Sequence, residues 1–206
     1  LPAGKHLLRY MESTRQSILN EVDRWLCCDP SHEKYGSKVF WLKGVAGTGK
    51  SCIAAVISQH KFNKDIIATH LCRHDLAVSG YADRVVQSIA FQLALHLPEY
   101  QKVLEKTIVS TFGDERDSRR LSANELWTQL IIDPLQSISV TKAVRALKRS
   151  RRFAILIDAI NESFFVNSRS ELVDLISGPL VNQLPDWIGL IVTSKPEASI
   201  DEKLSA

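Results

Sequence analysis

The sequence is short of cysteine, and its four, Cys27, Cys28, Cys52 and Cys72, show neither a Cys-x-x-Cys spacing nor a paired histidine cluster. That arrangement excludes a zinc site and a disulfide framework and fits a reducing, cytoplasmic setting. His70 and His74 bracket Cys72, but strand spacing and the lack of a fourth ligand leave no metal site there. No apolar run approaches the roughly 18 to 20 residues needed to cross a bilayer, and the N-terminus lacks the basic-then-apolar layout of a signal peptide. Charge of one sign is scarce as well, with 26 basic against 23 acidic residues and a net charge of +3. A field that weak argues against a membrane surface or a nucleic acid as partner. Internal repeats, low-complexity segments and an Asn-Lys-x-Asp-type guanine element are also missing.

What is present suits a folded domain. The 206 residues are 45% hydrophobic and 24% charged, enough to bury a core without staples. The chain opens on Leu1 and closes on Ala206 just after an apolar strand, as expected of a segment of something longer.

Ser13-Thr14-Arg15-Gln16 has capping-box form, and Ile18, Val22, Trp25 and Leu26 recur at helical spacing, which predicts a helix over 14–27. A polar stretch over 28–37 separates it from the strand Lys38 to Lys43, so 1–37 reads as an N-terminal helix and linker and 38–206 as the core domain. A helix to about His60 and a buried strand over 66–72 follow. Helical faces then carry Val85, Val86, Ile89, Ala90, Leu93 and Leu97, and after Pro98 Val103, Leu104 and Ile108. A polar loop over 113–120 precedes a helix marked by Leu126, Leu130 and Ile131, which Pro134 ends or kinks, and a basic helical stretch over 140–149. Phe153 to Ile157, ending in Asp158, is a continuous apolar run of the kind covered on both faces in a parallel sheet. A helix over 171–176 leads to a fourth strand, Ile188 to Thr193. Strands alternating with helices imply a three-layer α/β domain with a parallel sheet.

Gly44-Val45-Ala46-Gly47-Thr48-Gly49-Lys50-Ser51 satisfies G-x-x-x-x-G-K-[ST], between an apolar strand and a helix. Glycines let successive backbone N–H groups close on phosphate oxygens, Lys50 neutralises the β and γ phosphates, and the Ser51 hydroxyl ligates Mg²⁺. Cys52 completes the expected cradle. Such a loop needs an acid at a neighbouring strand tip to hold the magnesium, and Asp158 has that place. Glu162, four residues on, is the candidate to orient or deprotonate an attacking water. Thr193 and Ser194 stand at the carboxyl end of a strand, where ligands of open α/β sheets collect, with Lys195 next to them as a reporter of the γ phosphate.

Together these residues resemble the NACHT-type branch of the STAND P-loop NTPases, and most of all the nephrocystin-3-like N-terminal domain of large repeat proteins. The matching segments are the Ser13-Thr14-Arg15 helix start with Ile18 and Trp25, Trp41 to Ser51, Ile155 to Glu162, and Thr193-Ser194-Lys195-Pro196-Glu197. The resemblance implies an ATP-binding, more than GTP-binding, switch in the cytoplasm, cycling between ATP and ADP with Mg²⁺. It implies self-association through this domain, with other protein partners engaged by domains outside this segment. It also implies that Arg15 approaches the nucleotide, and a fifth strand and winged helix beyond the C-terminus. Asn161 stands where the family has a second acid, and Lys195 replaces an arginine. Both departures predict slow hydrolysis, because one removes a charge near the magnesium and the other a planar fork.

Two other readings compete. A non-hydrolysing, nucleotide-dependent assembly module is favoured by Asn161 and Lys195. A metabolic kinase would need a lid and acceptor-site residues, of which the sequence has no sign. The densest basic run, Arg145 to Arg152, lacks interleaved aromatics and reads as a solvated helix end. Cys27 and Cys28, with nothing basic close by in sequence, read as incidental.

Overall fold

The computed structural model describes residues 15–33, 36–73, 75, 80–112, 121–138, 151–165 and 171–204. In chain order these form α1 (Gln16–Leu26), β1 (Val39–Lys43), α2 (Lys50–Val56), β2 (Ile66–Leu71), α3 (Ala82–His96), α4 (Pro98–Phe112), α5 (Ala123–Trp127), α6 (Asp133–Ser137), β3 (Phe153–Asp158), α7 (Glu171–Ser177), β4 (Ile188–Ser194) and α8 (Ala198–Leu204). The polar loop expected over 113–120 and the basic helix over 140–149 lie outside the described residues.

All four strands are parallel, in the order β1-β4-β3-β2, so the expected α/β architecture with a parallel sheet holds. Side chains alternate across it, as strand geometry requires. Ile155 and Ile157 of β3, with Leu190 and Val192 of β4, face a large cluster built with α3 to α7. Ala154, Leu156 and Ile191 point the other way, onto Ile53 and Val56 of α2 and Leu19, Val22, Trp25 and Leu26 of α1. Each strand therefore serves two helix layers, which is why β3 and β4 read as unbroken apolar runs. Every residue of both strands is buried. Gly189 is required here: a Cβ on it would meet the Trp25 ring at 2.6 Å, so the missing side chain lets the indole lie on the sheet.

Pro134 does not end its helix. The chain passes through a π turn at Thr128–Ile132, and Pro134 opens α6. A proline cannot donate to the carbonyl four residues back. The hydroxyl of the buried Tyr100 donates to that carbonyl, on Leu130, instead. A second π turn, Ile57–Lys61, extends α2. At the β2 edge the Gln92 side chain acts as a substitute strand, accepting from Thr69 N at 2.9 Å and donating to Thr69 O at 2.8 Å. That pairing covers one of the open peptide groups that make sheet edges prone to association.

Two arginines fasten the foot of α1. Arg151 donates to Asp65 at 2.8 Å and 3.1 Å, to Asp23 at 2.9 Å and to Cys27 Sγ at 3.1 Å. Arg152 lies 4.5 Å over the Trp25 ring and donates to Ser37 O at 2.7 Å and to Cys28 Sγ at 3.3 Å. The end of the basic run is thus not solvated, since Arg152 is buried and Arg151 half-buried. The cysteine pair likewise has two cations against it. Burial nevertheless raises the Cys27 thiol pKa, with the Arg151 charge opposing it.

Candidate functional site

Parallel register brings the carboxyl ends of the strands to one side of the sheet: Lys43 of β1 pairs with Ser194 of β4, and Leu71 of β2 with Asp158 of β3. The glycine loop springs from this side. Gly44 N donates to Ser194 O at 3.2 Å, tying the start of the loop to β4. Gly47 and Gly49 both take φ of +80°, the left-handed region that glycine enters without strain. Thr48 Oγ1 closes the loop on Val45 O at 2.9 Å, and Ile53 N donates to Gly49 O at 3.0 Å as α2 begins. The backbone of Val45 and Ala46 is carried outward, and both are exposed.

Lys50 folds back over this turn, donating from Nζ to Gly44 O at 2.5 Å and to Val45 O at 2.9 Å. Burial lowers its proton affinity, the Asp158 charge opposes that shift, and the Lys195 charge adds to it. Ser51 and Cys52 follow in the first turn of α2, both half-buried. Arg15, immediately before α1, brings its guanidinium against the same turn. A Cβ on Gly49 would stand 2.3 Å from Arg15 Nη1, so the missing side chain leaves the guanidinium room against the turn. Arg15 Nη1 is buried without a hydrogen-bond partner among the described residues. Buried donors are almost always paired, so an unpaired guanidinium nitrogen against a glycine turn is a group that seeks an anion.

Asp158 is buried at the tip of β3 and takes a hydrogen bond from Thr193 Oγ1. The same hydroxyl accepts from Ala159 N at 2.9 Å. Ala159 has a φ of +60°, uncommon for a residue with a side chain, so the chain turns sharply beyond the acid and Thr193 clamps the turn. Trp41 Nε1 donates to Ser194 Oγ at 2.8 Å and fixes the second hydroxyl of the pair. Asn161 is buried, and its side-chain oxygen accepts from Lys195 N at 3.0 Å. It therefore holds the backbone of Lys195, whose side chain is exposed.

Glu162 is half-buried in a short 3₁₀ segment, Ile160–Phe165. It borders a cleft of about 450 Å³ together with Ser51, Asp158, Arg73 and Asp75. Cys72 touches the same cleft, and its thiol is pushed up to about 12 by burial first and then by the charges of Asp158 and Glu162. It stays protonated and inert. The structure thus gathers Gly44 to Ser51, Arg15, Lys50, Asp158, Glu162 and Lys195 around the carboxyl end of the sheet. Sequence reasoning passed over Arg73 and the hydrogen bonds that Trp41 and Asn161 make to the end of β4.

The profile of the family described as nephrocystin 3, N-terminal, matches residues 13–195. The chain belongs to that family. The match begins just before Arg15 and ends on Lys195, so the nephrocystin 3 N-terminal region holds every candidate site residue named above. Neither the curated proteins nor the solved structures contain a match to the chain. Among the described residues no helix is long and apolar enough to cross a membrane.

Proposed function

We propose that this domain is a nucleotide-operated switch of the NACHT type, binding ATP in preference to GTP and coupling slow, magnesium-dependent hydrolysis to self-association. The observation that carries the reading is the Arg15 donor, buried against Gly49 without a partner among the described residues, on a glycine turn that Lys50 already crosses. An anion with several oxygens satisfies all of these groups together, as a triphosphate does. Preference for ATP rests on the family resemblance alone.

In this reading the backbone of Gly44 to Gly49 receives the phosphates, and Lys50 trades its carbonyl partners for the β and γ oxygens. Ser51 and Asp158 fit a magnesium ion, a hard cation that takes hydroxyl and carboxylate oxygen; Thr193 keeps one Asp158 oxygen occupied and so orients the other. When bound, that ion neutralises charge on the phosphates. Glu162 orients the water, and Lys195 reports on the γ phosphate. With its oxygen committed to the Lys195 amide, Asn161 offers no second acid, which supports slow turnover. The same observation favours the second reading, an assembly module without hydrolysis. Strand β1 is paired only with β4 in the described sheet, and its open side suits a fifth strand.

The test is to incubate the full-length protein with ATP, ADP or GTP and magnesium, following phosphate release and assembly state together. The switch predicts larger assemblies with ATP than with ADP and turnover far below the roughly 10 per second of a typical enzyme. Identical assembly states with all three nucleotides would refute it, and rapid transfer to a small acceptor would indicate a kinase.

A further inference from the structure

Arg73 stands just past β2, at the point where Cys72 N donates to Asp158 O at 3.0 Å. One residue beyond a direct backbone bond to the candidate magnesium acid, Arg73 lines the cleft that also holds Ser51, Asp75 and Glu162. Asp75 receives both of its arms, Nε at 2.9 Å and Nη2 at 2.5 Å. The Arg73 side chain is 30% exposed and that of Asp75 52%. A pair this open to water is a weak bond, so a stronger acceptor competes for the guanidinium.

We propose that Arg73 is a ligand of the terminal phosphate, held by Asp75 in the resting domain and transferred to the nucleotide when a γ phosphate enters the cleft. The inference rests on the nucleotide-switch reading and assigns within it a second side chain, besides Lys195, that distinguishes triphosphate from diphosphate. Lys50 and Lys195 belong to the glycine loop and the end of β4, whereas Arg73 stands past β2 and lines the same cleft as Ser51. Its planar fork matches two oxygens of one phosphate, as it now matches the Asp75 carboxylate. Exchange breaks the Arg73–Asp75 pair, so arrival of the γ phosphate is felt at Asp75, just past β2.

Equilibrium titration of the wild type, Arg73→Ala, Arg73→Lys and Asp75→Asn with ATP and with ADP, each with magnesium, tests this. Arg73→Ala is expected to weaken ATP about tenfold or more while leaving ADP unchanged. Arg73→Lys should fall between, and Asp75→Asn should bind ATP at least as tightly as the wild type. If Arg73 serves only to anchor the turn, Arg73→Ala and Asp75→Asn will alter both nucleotides alike or alter neither, and the proposal is overturned. A wild type that binds neither nucleotide removes the switch reading as well, whereas a wild type that binds both while Arg73→Ala retains its ATP preference removes this inference alone.

Discussion

Lys50→Ala is expected to weaken binding of the magnesium complex of ATP by about 100-fold or more without unfolding the domain. The lysine contributes two charge-assisted contacts in the proposed complex, to the β and γ phosphates, each worth about 1.5 to 3 kcal/mol. Even the lower values sum to about 3 kcal/mol, or two decades in the dissociation constant. In the domain as it stands Lys50 makes two bonds to the carbonyls of Gly44 and Val45 in a half-exposed loop, whose loss water makes good. Titration calorimetry gives the affinity, and circular dichroism with a melting curve gives the fold. An alanine variant that binds as tightly as the wild type would show that the loop is not where phosphate sits.

Arg151→Ala carries the largest expected cost in stability, about 2 to 3 kcal/mol. The guanidinium joins α1 to the entry of β2 through Asp23 and Asp65 and lies 5.7 Å from the centre of the Phe62 ring. Removing one partner of a buried pair costs about 3 to 5 kcal/mol, because the other charge is stranded. The cost here lies at or below the lower figure, since the Arg151 side chain is 25% exposed and Asp23 46%, and water screens that arm. Asp65, at 11%, is the partner left stranded. For a domain of this size the loss corresponds to a fall of about 5 to 10 °C in Tm. Arg151→Lys, which keeps the charge and loses the fork, should recover part of it. A Tm for Arg151→Ala within about one degree of the wild type would contradict this account of how α1 is held. The consequence reaches the site, because α1 carries Arg15 at its other end.

That architecture was largely written in periodicity. A parallel sheet covered on both faces favours strands that are apolar on both sides, so Phe153 to Ile157 stood out as a continuous run and Ile188 to Thr193 as a fourth strand. The glycine loop was equally plain, because its left-handed turns at Gly47 and Gly49 admit few residue types. Asp158 followed from its place at a strand tip. What stayed hidden depends on contacts between distant segments. The carboxylates and thiols that receive Arg151 and Arg152 come from α1 and the entry of β2, more than 80 residues earlier in the chain, so the two arginines looked like a solvated helix end. Pro134 looked like a helix breaker because the compensating donor, Tyr100, comes from another helix. Asn161 was legible as a missing acid; its hydrogen bond to the Lys195 amide depends on the turn at Ala159, which brings the end of β3 against the end of β4. The short 3₁₀ segment after β3 and helix α8 are too brief to show a period.

The central claim is that Gly44 to Ser51 and Asp158 form one magnesium-triphosphate site, and magnesium dependence tests it most directly. Titrating the wild type and Asp158→Asn with ATP, with magnesium and with a chelator, should give a single saturable site in the wild type whose affinity falls at least about tenfold when magnesium is removed. In Asp158→Asn the affinity with magnesium should drop to the level the wild type shows with the chelator. Saturable binding that is indifferent to both magnesium and Asp158, or no saturable binding of ATP or GTP at all, would contradict the account.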